Sequence, residues 1–141
     1  MLRILVADDS ERFRLGLVRA LERDGRATVV AQAGDGVAAL EALRSDRPDI
    51  AVIDARMPRL DGLGVVAEAT RDPELAAVPL VVLSATADEV AVEALRAGAV
   101  ACLDKNRSRR ELCDAIIDAG QRGSADAPEP EGDADAAPPA A

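Results

Sequence analysis

Five polar side chains of this chain follow short apolar runs of the kind that form buried strands, and their chemical types complement one another. The runs lead into an acidic pair, a single aspartate, a serine and, one residue later than the others, the only lysine: Asp8, Asp9, Asp54, Ser84 and Lys105. In a parallel α/β sheet, functional groups gather at the carboxyl ends of the strands. We therefore expect these five side chains to share one site.

The types of these side chains predict phosphoryl transfer assisted by a cation. Three carboxylates about 4 Å apart would repel one another by roughly 4 kcal/mol per pair at a surface-like dielectric, so Asp8 and Asp9 are expected to hold a metal ion beside Asp54. Oxygen ligands without His or free thiolate favour Mg²⁺ over zinc, with Mn²⁺ or Ca²⁺ as alternatives. Asp54 would be the nucleophile and form an acyl phosphate. Lys105 would neutralise charge on the transferred group, and the Ser84 hydroxyl would donate a hydrogen bond to it.

Taken one at a time, these residues have simpler explanations. Asp and Ser are ordinary helix-capping residues, and a lone lysine is most often a solvated surface group. Four strand ends carry these residue types in this order, and four independent simple explanations are a poor account of that combination. The set also holds no strong general base, which suits a reaction that needs positioning and charge neutralisation more than proton removal.

The elements that must position these residues can be read from apolar periodicity. Short continuous runs alternate with helical stripes, which predicts five consecutive β–α units. We place strands near residues 3–8, 27–33, 49–54, 80–84 and 100–103. We place helices near residues 10–25, 36–45, 62–71, 88–96 and 108–122, the last beginning with a capping box of Ser108 and Glu111. Right-handed crossovers then require an α/β doubly wound parallel sheet with helices on both faces.

The 141 residues provide enough chain for one domain, and 49% apolar with 30% charged residues is typical of a globular protein. We assign residues 1–123 to this domain. Residues 124–141 contain Pro, Ala and acidic residues without a basic one, which predicts a disordered acidic tail that is either solvated or binds a partner. Cys102 and Cys113 lie in apolar stretches, so we expect small packed hydrophobes and neither a disulfide nor a metal site.

The composition disfavours two classes of partner. Phe13 is the only aromatic residue, so bases cannot stack on a set of rings. The net charge is −9, and apart from Arg107, Arg109 and Arg110 no basic cluster is present, so direct binding of nucleic acid is not expected. No apolar stretch is long enough to span a membrane or to form a signal sequence. We therefore expect a cytoplasmic protein without membrane contact.

The residues that surround the polar strand ends form four distinctive motifs. They are Val6-Ala7-Asp8-Asp9, Asp54-Ala55-Arg56-Met57-Pro58-Arg59-Leu60-Asp61-Gly62, Leu83-Ser84-Ala85 and Gly98-Ala99-Val100-Ala101-Cys102-Leu103-Asp104-Lys105. Over about residues 1–123 the chain thereby resembles the receiver domain of two-component response regulators. The resemblance implies a flavodoxin-like (βα)5 sheet with the strand order 2-1-3-4-5.

The same resemblance implies a mechanism and partners. A sensor histidine kinase or a phosphotransfer protein would phosphorylate Asp54, with the backbone carbonyl of Arg56 as a further Mg²⁺ ligand. Ser84 would move onto the phosphoryl group as part of the switch. Downstream, the domain would bind a protein target, and a homodimer through the fourth helix, fifth strand and fifth helix is possible. Beyond its own aspartyl phosphorylation and dephosphorylation, no conventional enzymatic turnover is expected.

Two positions depart from the family pattern. Cys102 occupies a position that is usually aromatic in receivers, where the ring reports movement of the switch hydroxyl. A cysteine is too small to do so, which predicts a different or weaker readout. Asn106 follows Lys105 where many relatives carry a cis proline, which leaves the isomer of this peptide bond open.

Four functional interpretations follow from these residues. The first is a stand-alone response regulator that acts by protein–protein interaction. The second is the receiver of a DNA-binding transcriptional regulator whose output module is missing from this chain. The third, favoured by Cys102 alone, is a receiver-like interaction module that phosphorylation does not switch. The fourth is a phosphatase of the haloacid-dehalogenase type, which Arg56 disfavours because that family carries a second Asp two residues after its nucleophile.

Overall fold

Five β–α units form the part of the chain that the computed structural model describes, which is residues 1–126. The strands are β1 (Leu2–Ala7), β2 (Ala27–Ala33), β3 (Ile50–Asp54), β4 (Leu80–Ser84) and β5 (Ala101–Asp104). The helices are α1 (Glu11–Asp24), α2 (Gly36–Asp46), α3 (Gly62–Arg71), α4 (Ala87–Ala97) and α5 (Arg109–Asp126). The predicted alternation of strands and helices is confirmed.

All strand pairs are parallel, and the order across the sheet is β2-β1-β3-β4-β5, as predicted. Alternate residues of each strand point to opposite faces, so the sheet has a core on both sides. Ile4 of β1 belongs to the core with α1 and α5, and Leu5 belongs to the core with α2, α3 and α4. The strand order reverses between β1 and β3, which opens a crevice at their carboxyl ends.

Side-chain caps fix where the helices begin. Ser10, Asp35 and Asp61 each accept a hydrogen bond from a backbone N–H in the first turn of the following helix. Before α5, the Ser108 hydroxyl accepts from the Glu111 N–H at 3.1 Å, and Glu111 Oε1 accepts from the Ser108 N–H at 3.1 Å. The predicted capping box is therefore confirmed.

The remaining differences from the predictions are small. Helix α5 continues to Asp126, beyond the predicted end near Arg122. No peptide bond in residues 1–126 is cis, so the bond between Lys105 and Asn106 is trans. Cys113 is buried as predicted, whereas Cys102 is only half-buried, and neither forms a disulfide.

The predicted disordered tail falls largely on residues 127–141, which lie outside the described residues. No helix in residues 1–126 combines the length and apolar character needed to cross a membrane.

Candidate functional site

Strand register brings the predicted polar residues to one edge of the sheet. Ala7 pairs with Ile53, so Asp8 and Asp54 leave neighbouring strands at the same level. Asp54 pairs in turn with Leu83, which places Ser84 just beyond it. The backbone N–H of Lys105 donates to the Ser84 carbonyl oxygen at 3.0 Å. All five predicted side chains therefore meet at the switch point.

The acidic cluster consists of two buried carboxylates and one exposed one. One oxygen from each of Asp8, Asp9 and Asp54 lies within 4.8 Å of the others. Asp8 is 1% exposed and Asp54 is 5% exposed, whereas Asp9 faces solvent. Because buried carboxylates repel strongly, this arrangement requires compensating positive charge.

The donor set fits a hard cation such as Mg²⁺. Asp8 Oδ1 accepts a hydrogen bond from the Ser10 N–H at 2.9 Å. Asp8 Oδ2 is buried and pairs with the Lys105 ammonium at 2.9 Å, and no neutral hydrogen-bond donor among residues 1–126 reaches it. A buried oxygen with one ammonium as its partner, next to two further carboxylates, is an arrangement in which Mg²⁺ coordination would supply the missing positive charge.

Lys105 is the cation that the protein itself supplies. Its Nζ lies 2.9 Å from Asp8 Oδ2 and 3.5 Å from Asp54 Oδ2. The side chain is 18% exposed, so it reaches the cluster from the solvent side while most of its length is covered. One ammonium does not balance the charge of three carboxylates. The net negative charge that remains would favour binding of a divalent cation.

The electrostatics of the cluster change the acidity of the candidate nucleophile. Burial and, next, the charge of Asp8 raise the pKa of Asp54 to about 7, although the Lys105 ammonium acts in the opposite direction. The structure as it stands therefore disfavours the charged form that a nucleophile needs. A bound metal ion would favour that charged form.

A cleft of about 270 Å³ opens above the cluster. Its lining includes four of the five predicted side chains, Asp9, Asp54, Ser84 and Lys105, together with Ala55, Arg56, Ala85 and Thr86. Asp8 lies beneath this surface. The cleft is large enough for a phosphoryl group and its attached donor atoms, and its walls carry both positive and negative groups.

The hydroxyl of Ser84 is turned toward Thr86. Ser84 Oγ accepts a hydrogen bond from the Thr86 N–H at 3.0 Å and lies 3.2 Å from Thr86 Oγ1. Sequence reasoning did not identify Thr86 as a partner. Ser side chains often form such local turns, but any non-proline residue two positions later offers the same N–H, so the sequence alone does not single out Thr86.

Two further predicted positions lie beside the cluster. The Arg56 N–H donates to Asp54 Oδ1 at 3.5 Å, and the Arg56 side chain is exposed at the rim of the cleft. Cys102 is in β5, where its thiol donates to the Ala87 carbonyl oxygen at 4.0 Å. The Arg56 carbonyl as a metal ligand and Cys102 as part of the switch stay predictions.

Three residues that position the site were not identified from the sequence. Arg14 Nη1 donates to the backbone carbonyl of Asp8 at 2.6 Å. The ring of Phe13 lies against the Lys105 ammonium. A Cβ at Gly62 would overlap the carbonyl oxygen of Asp54 and would lie 2.9 Å from the Cα of Ala55, so only glycine fits there. Phe13 and Lys105 are distant in sequence, and Gly62 appears in the sequence only as part of a motif, so neither contact is marked by a local pattern.

The fold and site together define a doubly wound α/β domain with an acidic cluster at its switch point, and comparison with known proteins identifies its class. The family model described as the response regulator receiver domain matches residues 4–117. The chain therefore belongs to the receiver domains of two-component response regulators.

The relatives include regulators of more than one kind. The chain is 40% identical over 116 residues to the probable transcriptional regulatory protein NarL of Mycobacterium tuberculosis, covering 82% of this chain and 53% of the relative. It is 35% identical over 130 residues to protein-glutamate methylesterase/protein-glutamine glutaminase 5 of Anaeromyxobacter dehalogenans, covering 86% of this chain and 36% of the relative. The chain thus spans about half, or less, of the length of these curated relatives.

Solved structures agree with the fold. The signal receiver domain of the putative response regulator NarL from Mycobacterium tuberculosis has a TM-score of 0.79 at 40% identity, with 85% of this chain and 96% of that one covered. The response regulator domain of Thermotoga maritima CheB has a TM-score of 0.75 at 26% identity, with 87% and 96% covered. The predicted family and fold are confirmed.

Proposed function

We propose that this receiver is a Mg²⁺-dependent phosphorylation switch in which Asp54 accepts the phosphoryl group from a sensor histidine kinase or a phosphotransfer protein in the cytoplasm. The observation that carries this proposal is the cluster of Asp8, Asp9 and Asp54 with the Lys105 ammonium against it, at the carboxyl ends of the strands. The output would be the binding of a downstream protein.

The residues of the cluster divide the tasks of this mechanism, and Asp54 has two of them. One oxygen of Asp54 forms a bond to phosphorus while the bond from phosphorus to the donor atom breaks, and the donor atom keeps the electron pair. Lys105 neutralises negative charge on the transferred group, and Ser84 is the hydroxyl donor for it. Asp8, Asp9, Asp54 and the Arg56 carbonyl would hold Mg²⁺. That ion, or Mn²⁺ in its place, would supply charge neutralisation at the phosphoryl oxygens.

The test is the intact mass of the protein after incubation with Mg²⁺ and acetyl phosphate as the phosphodonor. We expect one phosphoryl gain in the wild type, none with a chelator present, and none in Asp54→Asn. Asp61→Asn is the matched control, because Asn caps a helix as well as Asp does and the cap position lies outside the cleft lining. A phosphoryl gain that survives in Asp54→Asn, or a wild type that takes up no phosphoryl group, would contradict the proposal.

Arg56 is expected to protect the aspartyl phosphate from water. Its long exposed side chain lines the cleft next to Asp54, so Arg56→Ala should open a path for attacking water. We expect the half-life of the phosphorylated protein to shorten roughly twofold to tenfold, a barrier change of about 0.4–1.4 kcal/mol. The measurement is the decay of phosphorylated mass after removal of the donor. Arg96→Ala, an exposed arginine of α4 outside the cleft lining, is the control, and equal half-lives in all three proteins would remove this role for Arg56.

A second candidate function is the receiver part of a longer transcriptional regulator. It is favoured by the relative in which the matched region makes up 53% of a probable transcriptional regulatory protein. In that case DNA would be bound by a separate module, and the receiver surface would contact that module or a second receiver through α4, β5 and α5. The length of the natural open reading frame distinguishes this candidate from a stand-alone receiver.

A further inference from the structure

The single aromatic ring of the protein lies between the phosphoryl site and α5. The Lys105 Nζ is 4.4 Å from the centroid of the Phe13 ring, and the Arg109 Cζ is 4.5 Å from the same centroid. Both distances are well inside the range of about 6 Å in which a cation is attracted to the negative face of an aromatic ring. Two of the cations around this end of the sheet therefore converge on one side chain of α1.

An ordinary packing role does not account for this arrangement. Phe13 is half-buried against the core that α1 and α5 share, where an aliphatic side chain such as leucine would also fill space. An aliphatic side chain has no charge distribution that attracts ammonium or guanidinium groups. Phenylalanine at this position therefore adds contacts with two cations that an aliphatic residue would lack.

Lys105 needs such support because its side chain is flexible. A lysine ammonium sits on four rotatable methylene groups, and fixing them costs entropy. In this structure the ammonium is held by three groups at once: Asp8 Oδ2 at 2.9 Å, Asp54 Oδ2 at 3.5 Å and the Phe13 ring. The ring contact coexists with both carboxylate contacts, so it stabilises the position that faces the cleft.

We propose that Phe13 is a positioning residue for phosphoryl transfer, and that its ring holds the Lys105 ammonium over the acidic cluster by a cation–π contact. This inference rests on the proposed function of Asp54 and adds a residue to it. Because the ring acts through Lys105, weakening the ring should slow phosphorylation without removing any group that touches the phosphoryl donor.

The composition of the chain makes a direct test possible. Phe13 is the only phenylalanine, and the sequence has no Tyr or Trp. Expression in a phenylalanine auxotroph supplied with a fluorinated phenylalanine, with a tag that lacks phenylalanine, therefore changes this one ring and no other. Successive fluorine atoms withdraw electron density from the ring face and weaken its attraction for cations, while the shape of the side chain changes little.

The experiment compares protein made with ordinary, 4-fluoro-, 3,5-difluoro- and 3,4,5-trifluorophenylalanine. The measured quantity is the rate of phosphoryl gain from acetyl phosphate with Mg²⁺. We expect the rate to fall stepwise with each added fluorine, to roughly threefold to tenfold below the unmodified protein for the last member. Phe13→Leu should be slow as well.

Two control variants separate the ring's action on Lys105 from other effects. Phe13→Leu made in each medium must carry no fluorine and must show one constant rate. Lys105→Met made in each medium should be slow but equally slow throughout, because the cation that senses the ring is gone. A dependence on fluorine that persists in Lys105→Met would mean that the ring acts by another route, and would overturn the proposal.

A second readout does not depend on catalysis. In metal-free protein labelled with 4-fluorophenylalanine, the single ¹⁹F resonance should shift in Lys105→Met and stay in place in Arg96→Gln, whose arginine does not contact the ring. Two results would overturn the role of Phe13 and leave the proposed function intact. One is a phosphorylation rate that fluorination does not change, and the other is a ¹⁹F resonance that does not shift in Lys105→Met. A wild type that takes up no phosphoryl group would overturn the proposed function itself, so the two failures are distinguishable.

Discussion

Asp54→Asn is expected to make the metal-free protein more stable while it abolishes phosphorylation. In the wild type, burial and the charge of Asp8 disfavour ionised Asp54, and the substitution removes that charge but keeps an oxygen for the Arg56 N–H. It also leaves Asp8 and Lys105 as a simple ion pair 2.9 Å apart. We expect a gain of roughly 1–4 kcal/mol in the free energy of unfolding, which is about 3–15 °C in Tm.

The sign of the pH dependence follows from the direction of the pKa shift. The folded protein raises the pKa of Asp54 from 3.8 to about 7, so the unfolded chain releases this proton more easily than the folded one. The resulting destabilisation is absent below the unfolded pKa of 3.8. It grows as the pH rises from this value toward the folded pKa and is complete above about pH 7. The advantage of Asp54→Asn should therefore be largest above neutral pH and should vanish in acid. Thermal unfolding in a chelator at several pH values measures it.

Mg²⁺ should make the wild type more stable than Asp54→Asn, which is the reverse of their order in chelator. It is expected to raise the Tm of the wild type by mass action and to leave Asp54→Asn nearly unchanged. Asp9→Asn is the matched charge control, because it removes the same charge from the exposed member of the cluster and should give a much smaller gain in chelator. Equal or lower stability of Asp54→Asn in chelator above neutral pH would show that the cluster is not under electrostatic strain.

Gly62→Ala is expected to be strongly destabilising and to slow phosphorylation. Helix α3 begins so close to β3 that a methyl group at this position would overlap the backbone of Asp54 and Ala55. Neither backbone atom can move without shifting the end of the strand that carries Asp54. We expect a loss of roughly 2–4 kcal/mol in the free energy of unfolding, and at least roughly a tenfold lower phosphorylation rate in the protein that remains folded.

Gly64→Ala is the matched control in the same helix. A methyl group there would lie 2.6 Å from Cδ1 of Leu60, the flexible end of a side chain that can rotate away. Gly to Ala raises helix propensity, by up to about 1 kcal/mol in a helix interior, so propensity cannot explain a loss of stability in Gly62→Ala. In denaturant unfolding, the free energy of unfolding of Gly64→Ala should therefore be close to that of the wild type, and that of Gly62→Ala should be much lower. Similar stabilities for the two variants would mean that the contact between α3 and Asp54 relaxes at little cost.

The sequence was sufficient to predict the fold and the polar side chains of the cluster, for a physical reason. A polar residue directly after a buried strand is a local signal, and parallel strands bring all such residues to the same edge whatever their distance in sequence. This is why the sequence alone assigns Asp8, Asp54 and Ser84 to one site. The same local logic predicted the cap at Ser108 and the end of α1 at Gly25, where the backbone φ is 85°.

The residues that support the cluster could not be predicted from such local signals. Phe13 and Lys105 are far apart in sequence, and no periodicity relates them, so their contact is a product of how α1 packs beside β5 and α5. Gly62 appeared only as part of a motif, since the need for a missing side chain is visible only when the Asp54 backbone lies next to it. The turn of Ser84 toward Thr86 depends on a rotamer choice that composition does not determine.

The partnership of Ser84 with Thr86 sets how sharply a phosphoryl signal could be transmitted. The hydroxyl already has the Thr86 N–H at 3.0 Å and the Thr86 hydroxyl at 3.2 Å, so a new acceptor at Asp54 would compete with existing bonds. Exchange of these neutral hydrogen bonds for one charge-assisted bond to a phosphoryl oxygen leaves a net gain of only about 1–2 kcal/mol, a factor of roughly five to thirty in population. The bonds to Thr86 would therefore reduce the free energy that the phosphoryl group contributes to the switch, and a minor share of the unmoved arrangement would persist in the phosphorylated protein.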